Sequence, residues 1–276
     1  MARYKVSSGV APTGVSWSLA LGSCFDKRGL PAMGDESVDH TISDAPYEKE
    51  AHEKQRQNGG KKKNGGYHEE PDDSHLYFPP ITEDERYEVA RQWCRVSRHW
   101  VAVFCQVEAV HLWKKAIEDR GGVYRRCIPW IKPSAKPSFH GRWPGQAFEA
   151  IVLAQARKRG VRKCNGNGRA TWFNDPRDPP LQVLDKDGYP LKNAAGKLVR
   201  VTAKPVLLMD GLIELVSQPG EIILDNYAGT GTTGVAAMRA RRSFIGMESN
   251  EHVHRLACRR LGAEELRPVP GQALLF

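Results

Sequence analysis

Long apolar runs are missing from this chain of 276 residues. No stretch approaches the ~20 apolar residues that a membrane span needs. The opening MARYKVSSGVAPTG also lacks the apolar core of a secretory leader. A soluble, intracellular protein is therefore expected. Cysteine is sparse and scattered: Cys24, Cys94, Cys105, Cys127, Cys164 and Cys258 form no C-x-x-C pair and no cluster with histidine. That excludes a disulfide framework and a zinc module, and no metal is expected; the thiols read as isolated groups in a reducing compartment. Acidic residues are in deficit, 32 against 41 Lys and Arg, for a formal charge of +9. Such a balance suits a polyanionic partner without requiring one. No period of roughly 20–50 residues repeats, which excludes a solenoid.

What is present reads as alternating strands and helices. VSWSLALGSCFD gives a short strand and a loop, and SVDHTISDAPY a second strand alternating around Val38, His40 and Ile42. That strand ends in an acid, Asp44, followed by Ala45, a proline-fixed turn at Pro46 and a ring at Tyr47. The polar stretch from 48 to 80, with two Gly-Gly pairs and Lys61, Lys62 and Lys63, reads as a mobile loop too long for a plain connection. Thr82 and Glu85 form a capping box, with Val89, Trp93 and Val96 on one helical face. HWVAVFCQ has the continuous apolar character of an interior parallel strand. EAVHLWKKAIEDRGG is a helix stopped by glycine, and VYRRCIPWIK and AFEAIVLAQA are two further strands. Periodicity then fails from Arg157 to Ala203 and returns at Lys204. The pattern predicts an α/β fold: a doubly wound, mostly parallel sheet with an antiparallel hairpin at its far edge.

The most informative stretch is IILDNYAGTGTTGVAAMRARRSFIGMES. A strand ending at Asp225 runs into a loop holding Gly229 and Gly231, with a helix directly behind it. Small residues there admit a ligand close to the backbone, and the helix start offers unpaired N–H groups. The next strand ends in Glu248, placed to accept both hydroxyls of a ribose. The loop is neither a G-x-G-x-x-G fingerprint nor a P-loop, because its spacing differs and no G-K-[ST] follows. An adenosine-bearing ligand is expected. Asp44 and the glycine loop would open on the same carboxyl edge of the sheet, where such sheets bind ligands.

Taken together, these segments resemble the DNA amino-methyltransferases of the beta class, in which the usual motif order is circularly permuted. DAPY (Asp44–Tyr47) is similar to that family's D-P-P-Y, and DNYAGTGTT (Asp225–Thr233) to its D-P-F-x-G-x-G. LGSCFD resembles the G-D-C lead-in, IPWIKP with AFEAIVLAQ the W-x-K-P…E hairpin, and KPVLLMDGLIELVSQPG the K-P helix before the cofactor loop. Three positions depart from the pattern: Ala45 and Asn226 each stand where the family has proline, and Ser23 where it has an acid.

The resemblance implies a Rossmann-like domain in three parts: a catalytic half (1–156), a target-recognition region (157–203) and a cofactor half (204–276). It implies S-adenosyl-L-methionine as cofactor, held by Ser23, Lys204, Asp225, Tyr227, Ala228, Gly229, Thr230, Gly231, Thr232, Thr233 and Glu248. The amine of the target base would be met by Asp44 and the Ala45 carbonyl, with Pro46 shaping the turn and Tyr47 stacking on the base. The implied partner is double-stranded DNA with the target base flipped out, in the cytoplasm of a bacterial or phage-infected cell; a homodimer is compatible with this. Backbone contacts are expected from Arg157, Lys158, Arg159, Arg162, Lys163 and Lys61–Lys63, with Arg169, Trp172 and Arg177 reading bases or wedging into the gap. Adenine N6 is favoured over cytosine N4 because the motif begins with an acid. Cysteine-mediated C5 methylation is disfavoured because the chain has no Pro-Cys dipeptide. An N4-cytosine enzyme, an RNA or protein substrate, and a weakened module that binds cofactor and nucleic acid stay open as alternatives.

Overall fold

The computed structural model describes residues 4–48, 79–133, 144–158, 160–166, 168, 170–174, 181–183, 185, 187, 189–192 and 196–265. In chain order the strands and helices are β1 (Lys5–Val10), β2 (Ser16–Leu21), β3 (Val38–Ser43), α1 (Glu83–Val96), β4 (Ser97–Cys105), α2 (Val110–Asp119), β5 (Val123–Ile131), β6 (Phe148–Gln155), β7 (Phe173–Asn174), β8 (Leu181–Gln182), β9 (Arg200–Val201), α3 (Val206–Val216), β10 (Ile222–Asp225), α4 (Thr232–Arg239), β11 (Ser243–Glu248) and α5 (Glu251–Glu265). Among the described residues no helix is long and apolar enough to cross a membrane. The polar stretch 49–78, with Lys61–Lys63, lies outside the described residues, as do Arg159, Arg169 and Arg177.

Among the described residues, one sheet of nine strands runs in the order β1-β2-β11-β10-β3-β4-β6-β5-β7. Strands β2, β11, β10, β3 and β4 are mutually parallel. Strand β6 returns antiparallel between β4 and β5, which forms the expected edge hairpin. The carboxy-terminal strands β10 and β11 lie between β2 and β3, so the cofactor-type loop of one half sits beside the Asp44 strand of the other. This arrangement is the spatial meaning of the permuted motif order.

Two apolar cores cover the two faces of the sheet. Val89, Val96 and Ile117 of α1 and α2 pack with Val101, Val103 and Val152 on one side. Leu208, Leu212, Val235 and Leu261 of α3, α4 and α5 pack with Ile42, Phe104 and Ile223 on the other. Strand β3 is buried along all six residues rather than alternating as its sequence suggests, because helices cover both faces of an interior parallel strand. Helix α1 begins with the reciprocal cap read from the sequence: Glu85 N donates to Thr82 Oγ1 (3.2 Å) and Thr82 N to Glu85 Oε2 (2.9 Å). Trp93 of α1 stacks on Trp113 of α2 with ring centroids 5.2 Å apart, which fixes the two helices against each other.

Two features were not visible in the sequence. Strand β1 adds an antiparallel edge to β2. Within residues 157–203, Val183, Val199 and Val201 form a small core of their own that packs on Leu256 of α5. Phe173 of β7 lies against the bare backbone of Gly211 in α3, where a Cβ would stand 2.8 Å from the ring. Both contacts pin this segment to the carboxy-terminal helices α3 and α5.

Candidate active site

Because five strands share one direction, Leu21, Ser43, Cys105, Asp225 and Glu248 all end at one edge. A cavity of about 360 Å³ opens there, lined by Ser23, Asp44, Ala45, Pro46, Tyr47, Lys204, Tyr227, Gly229 and Glu248 among others. The two expected strand-end sites therefore meet in one cleft.

On the β3 side, Asp44 is about one-third exposed and Ala45 is buried. Lys204, just ahead of α3, donates from Nζ to both Asp44 oxygens at 2.7 Å and lies 3.3 Å from Tyr47 Oη. Its ammonium sits over the rings of Phe104 (5.2 Å), Tyr47 (5.4 Å) and Trp130 (5.8 Å). Tyr47 Oη donates to Glu149 Oε2 at 2.6 Å, and the buried Lys132 pairs with Glu149 Oε1. Strand β5 ends and β6 begins at this same edge, which brings Trp130, Lys132 and Glu149 to the site. Their W-x-K-P…E pattern is legible in the sequence as a hairpin, but with no role for the three side chains. The signal available was two opposite charges flanking an apolar hairpin.

On the β10 side, Asp225 is fully enclosed and does not face the cleft. Its carboxylate accepts from Thr233 Oγ1 (2.6 Å), Ser43 Oγ (3.1 Å) and Tyr227 N (3.1 Å). It therefore ties the glycine loop to the start of α4 and to β3. Burial pushes its carboxyl up to about 6, with a further rise from nearby Asp44. Asn226 is held by Trp93, whose Nε1 donates to its Oδ1 at 2.7 Å. Thr230 and Thr232 are buried and meet Arg260, which donates to the Thr230 carbonyl at 2.8 Å. Ala228, Gly231 and Thr233 likewise support the loop rather than line the cavity.

Gly229 is the point of open approach. Its φ of +52° suits glycine, and a Cβ built there would meet nothing closer than 3.9 Å, so any side chain would project into free space. Beside it, Glu248 is buried yet lines the cleft. Its Oε1 accepts from Asn250 N at 2.6 Å. Burial outweighs the N–H donors and pushes its carboxyl up to about 7. A buried acid next to a glycine with empty space above it fits a vicinal diol, which offers two O–H donors.

The opposite, amino-terminal edge holds a second polar cluster. His40 Nε2 donates to Glu221 Oε2 (2.9 Å), and Asp39 accepts from Arg98 (3.0 Å) and Ile222 N (2.8 Å). Burial pushes the His40 imidazole down to about 3, so it is neutral and the contact is a hydrogen bond rather than an ion pair. Asp39, His99 and Glu221 have ligand atoms within 4.8 Å of one another. Their carboxylates are already committed to Arg98, Arg162 and His40.

Two of the expected DNA contacts fall at this edge. Arg162 pairs with Glu221, while Arg157 pairs with Glu36 and donates to the Ser97 carbonyl at 2.9 Å. Lys158 and Lys163 are exposed on the same segment. At ~3.3 Å per residue along β4, this edge lies roughly 20 Å from the cleft. Trp172 is placed differently: it is 60% exposed and adjoins the Trp130–Phe173 pairing at the cleft edge.

A family model described as DNA methylase, of the N6/N4 type, matches residues 38–259. The Type II methyltransferase M2.DpnII of Streptococcus pneumoniae is 26% identical over 189 residues, covering 66% of this chain and 69% of the relative. The solved M1.HpyAVI–SAM complex aligns with a TM-score of 0.58 at 19% identity, over 89% of this chain and 98% of that one. The cytosine-N4-specific PvuII DNA methyltransferase aligns with a TM-score of 0.61 at 12% identity, over 95% and 91%. At these identities the structural likenesses establish the fold.

Proposed function

Because the chain belongs to the N6/N4 DNA methylase family, we propose that its cleft methylates the exocyclic amine of a base flipped out of double-stranded DNA, with adenine N6 as the favoured target. The observation that carries this reading is the shared cleft: Asp44 and the Ala45 carbonyl on one wall, Gly229 and Glu248 on the other.

S-Adenosyl-L-methionine, when bound, supplies an electrophilic methyl group on sulfur. Glu248 and the open face of Gly229 would hold its ribose, and Tyr227 and Ser23 line the same wall. The remaining work falls to the chain's own residues. An exocyclic amine is a weak nucleophile because its lone pair is delocalised into the base. Asp44 accepts one N–H and the Ala45 carbonyl the other, which favours the pyramidal nitrogen that the transition state requires. Alanine serves here as well as proline, because the acceptor is main-chain. Tyr47, fixed through Glu149, presents its ring for stacking on the extruded base.

DNA would approach the cleft edge, with the exposed Trp172 set to fill the space that the flipped base leaves. Arg157 and Arg162, held in ion pairs at the far edge, act in this reading as structural ties for the recognition region. The preference for adenine rests on the acid-first motif. Incubation with methyl-labelled cofactor and unmethylated genomic DNA, followed by digestion to nucleosides, tests it. N6-methyldeoxyadenosine is the expected labelled product, and label in N4-methyldeoxycytidine alone would overturn the adenine assignment.

A further inference from the structure

The geometry around Lys204 poses a difficulty for the proposed chemistry. Both Asp44 oxygens are taken by the Lys204 ammonium at 2.7 Å. A target amine must compete for that carboxylate, and the adjacent positive charge weakens the pull of Asp44 on an N–H donor. Lys204 cannot simply swing into water, since its side chain is only 14% exposed and an unpaired ammonium there is costly. Among the described residues it has an alternative anion beside it: Glu149 Oε2 stands 3.5 Å from Nζ.

Resting on the functional reading above, we infer that Glu149 is a positioning residue which takes over the Lys204 ammonium when Asp44 turns to the target amine. Two carboxylates and two ammonium groups meet here: Asp44, Glu149, Lys204 and Lys132. In the arrangement seen, Lys204 neutralises Asp44 and Lys132 neutralises Glu149. Shortening the Lys204–Glu149 contact from 3.5 Å towards the 2.7 Å now made to Asp44 shifts both cations onto Glu149. Asp44 is then left with its full negative charge facing the amine, where positive charge develops during transfer. The aromatic walls of Phe104, Tyr47 and Trp130 surround the ammonium in the position seen and favour the cation without fixing it to one carboxylate. Tyr47 Oη, bonded to the same Glu149 oxygen, couples the stacking ring to the exchange.

The test is a double-mutant cycle on single-turnover transfer of labelled methyl to unmethylated genomic DNA. It compares wild type, Glu149→Gln, Lys204→Met and the double variant, at cofactor concentrations shown by calorimetry to saturate each protein. Glu149→Gln in the wild-type background is expected to slow transfer by at least ~10-fold, with cofactor affinity nearly unchanged and a lower melting temperature, because the buried Lys132 loses the Glu149 charge. In the Lys204→Met background the same change is expected to cost less than ~3-fold, because the group through which it acts is gone. Equal losses in both backgrounds would mean that Glu149 acts through Tyr47 or through packing, and the inference would be wrong. No loss in either would also overturn it. Should Glu149→Gln fail to fold, Glu149→Asp, whose carboxylate stands one methylene short of Lys204, takes its place with the same expectations. A wild-type chain that transfers no methyl would sink the functional reading itself, and the inference with it.

Discussion

Replacing Glu248 by glutamine separates the stability of the empty protein from its affinity for cofactor, and the two should move in opposite directions. Burial raises the Glu248 carboxyl from an ordinary 4.5 to about 7. That difference is worth about 3 kcal/mol at 1.36 kcal/mol per unit. The group is raised in the fold, so its contribution is fully present below pH 4.5 and is lost as pH rises towards about 7. Glutamine has nearly the same shape, can still accept from Asn250 N, and never ionises. The empty Glu248→Gln protein should therefore exceed wild type by up to about 3 kcal/mol at pH 8, and by less than about 1 kcal/mol at pH 5.

Cofactor binding should respond the other way. The ribose hydroxyls lose a charged acceptor, a difference of about 2 kcal/mol, or roughly 30-fold in the dissociation constant. Urea denaturation at the two pH values, with calorimetric titration of S-adenosylhomocysteine at pH 8, measures both effects. A variant that is less stable at pH 8, or that binds as tightly as wild type, would refute the reasoning that a buried acid is kept there for the diol.

Gly229→Ala should weaken S-adenosylhomocysteine binding by about 10-fold, because a methyl enters the cleft and the left-handed backbone adds about 1 kcal/mol of strain; an unchanged titration would remove Gly229 from the pocket. His40 is depressed from 6.5 to about 3, so the stability it contributes is present above pH 6.5 and lost as pH falls through that range. His40→Gln should accordingly flatten the acid side of the stability profile between pH 6.5 and 4, as read by denaturation midpoints, and an unaltered slope would contradict this. Arg162→Met should cost about 1–3 kcal/mol of stability through loss of the Glu221 pair. It should leave the salt dependence of DNA binding unchanged; a flatter salt slope would return Arg162 to the DNA surface.

Local chemistry made several of these features readable in advance. The cap at Thr82 and Glu85, the strand ending at Asp225 and the glycine loop each depend on residues within a few positions of one another. The mostly parallel sheet followed from strand–helix alternation, whereas the seating of β10 beside β3 is seen only in the fold. Strand β3 misled because alternation puts Asp39, Thr41 and Ser43 on what looks like a solvent-facing side, whereas these residues and His40 are all buried. Their partners are Arg98, Glu221, Ser97 and Asp225, all of them from distant parts of the chain. The acids that pair with Arg157 and Arg162, Glu36 and Glu221, were likewise not legible in the basic run, because they come from distant parts of the chain. The asymmetry recurs in the cleft. Asp44 could be named from its motif, whereas its contact with Lys204, 160 positions away, and the approach of Glu149 exist only once the sheet has formed.

The central claim is that Asp44 activates an exocyclic amine in DNA while the opposite wall of the cleft binds the cofactor independently. Single-turnover transfer of labelled methyl to unmethylated genomic DNA, run beside calorimetric titration of the cofactor, measures both halves for wild type and Asp44→Ala. The account predicts that wild type labels DNA and that Asp44→Ala labels it about 10²–10³-fold more slowly, the loss of roughly 3–4 kcal/mol expected for one transition-state acceptor. It also predicts cofactor affinity within about threefold of wild type, since Asp44 faces the base and not the ribose. Undiminished labelling by Asp44→Ala, or no labelling of DNA by the wild-type chain, would contradict it.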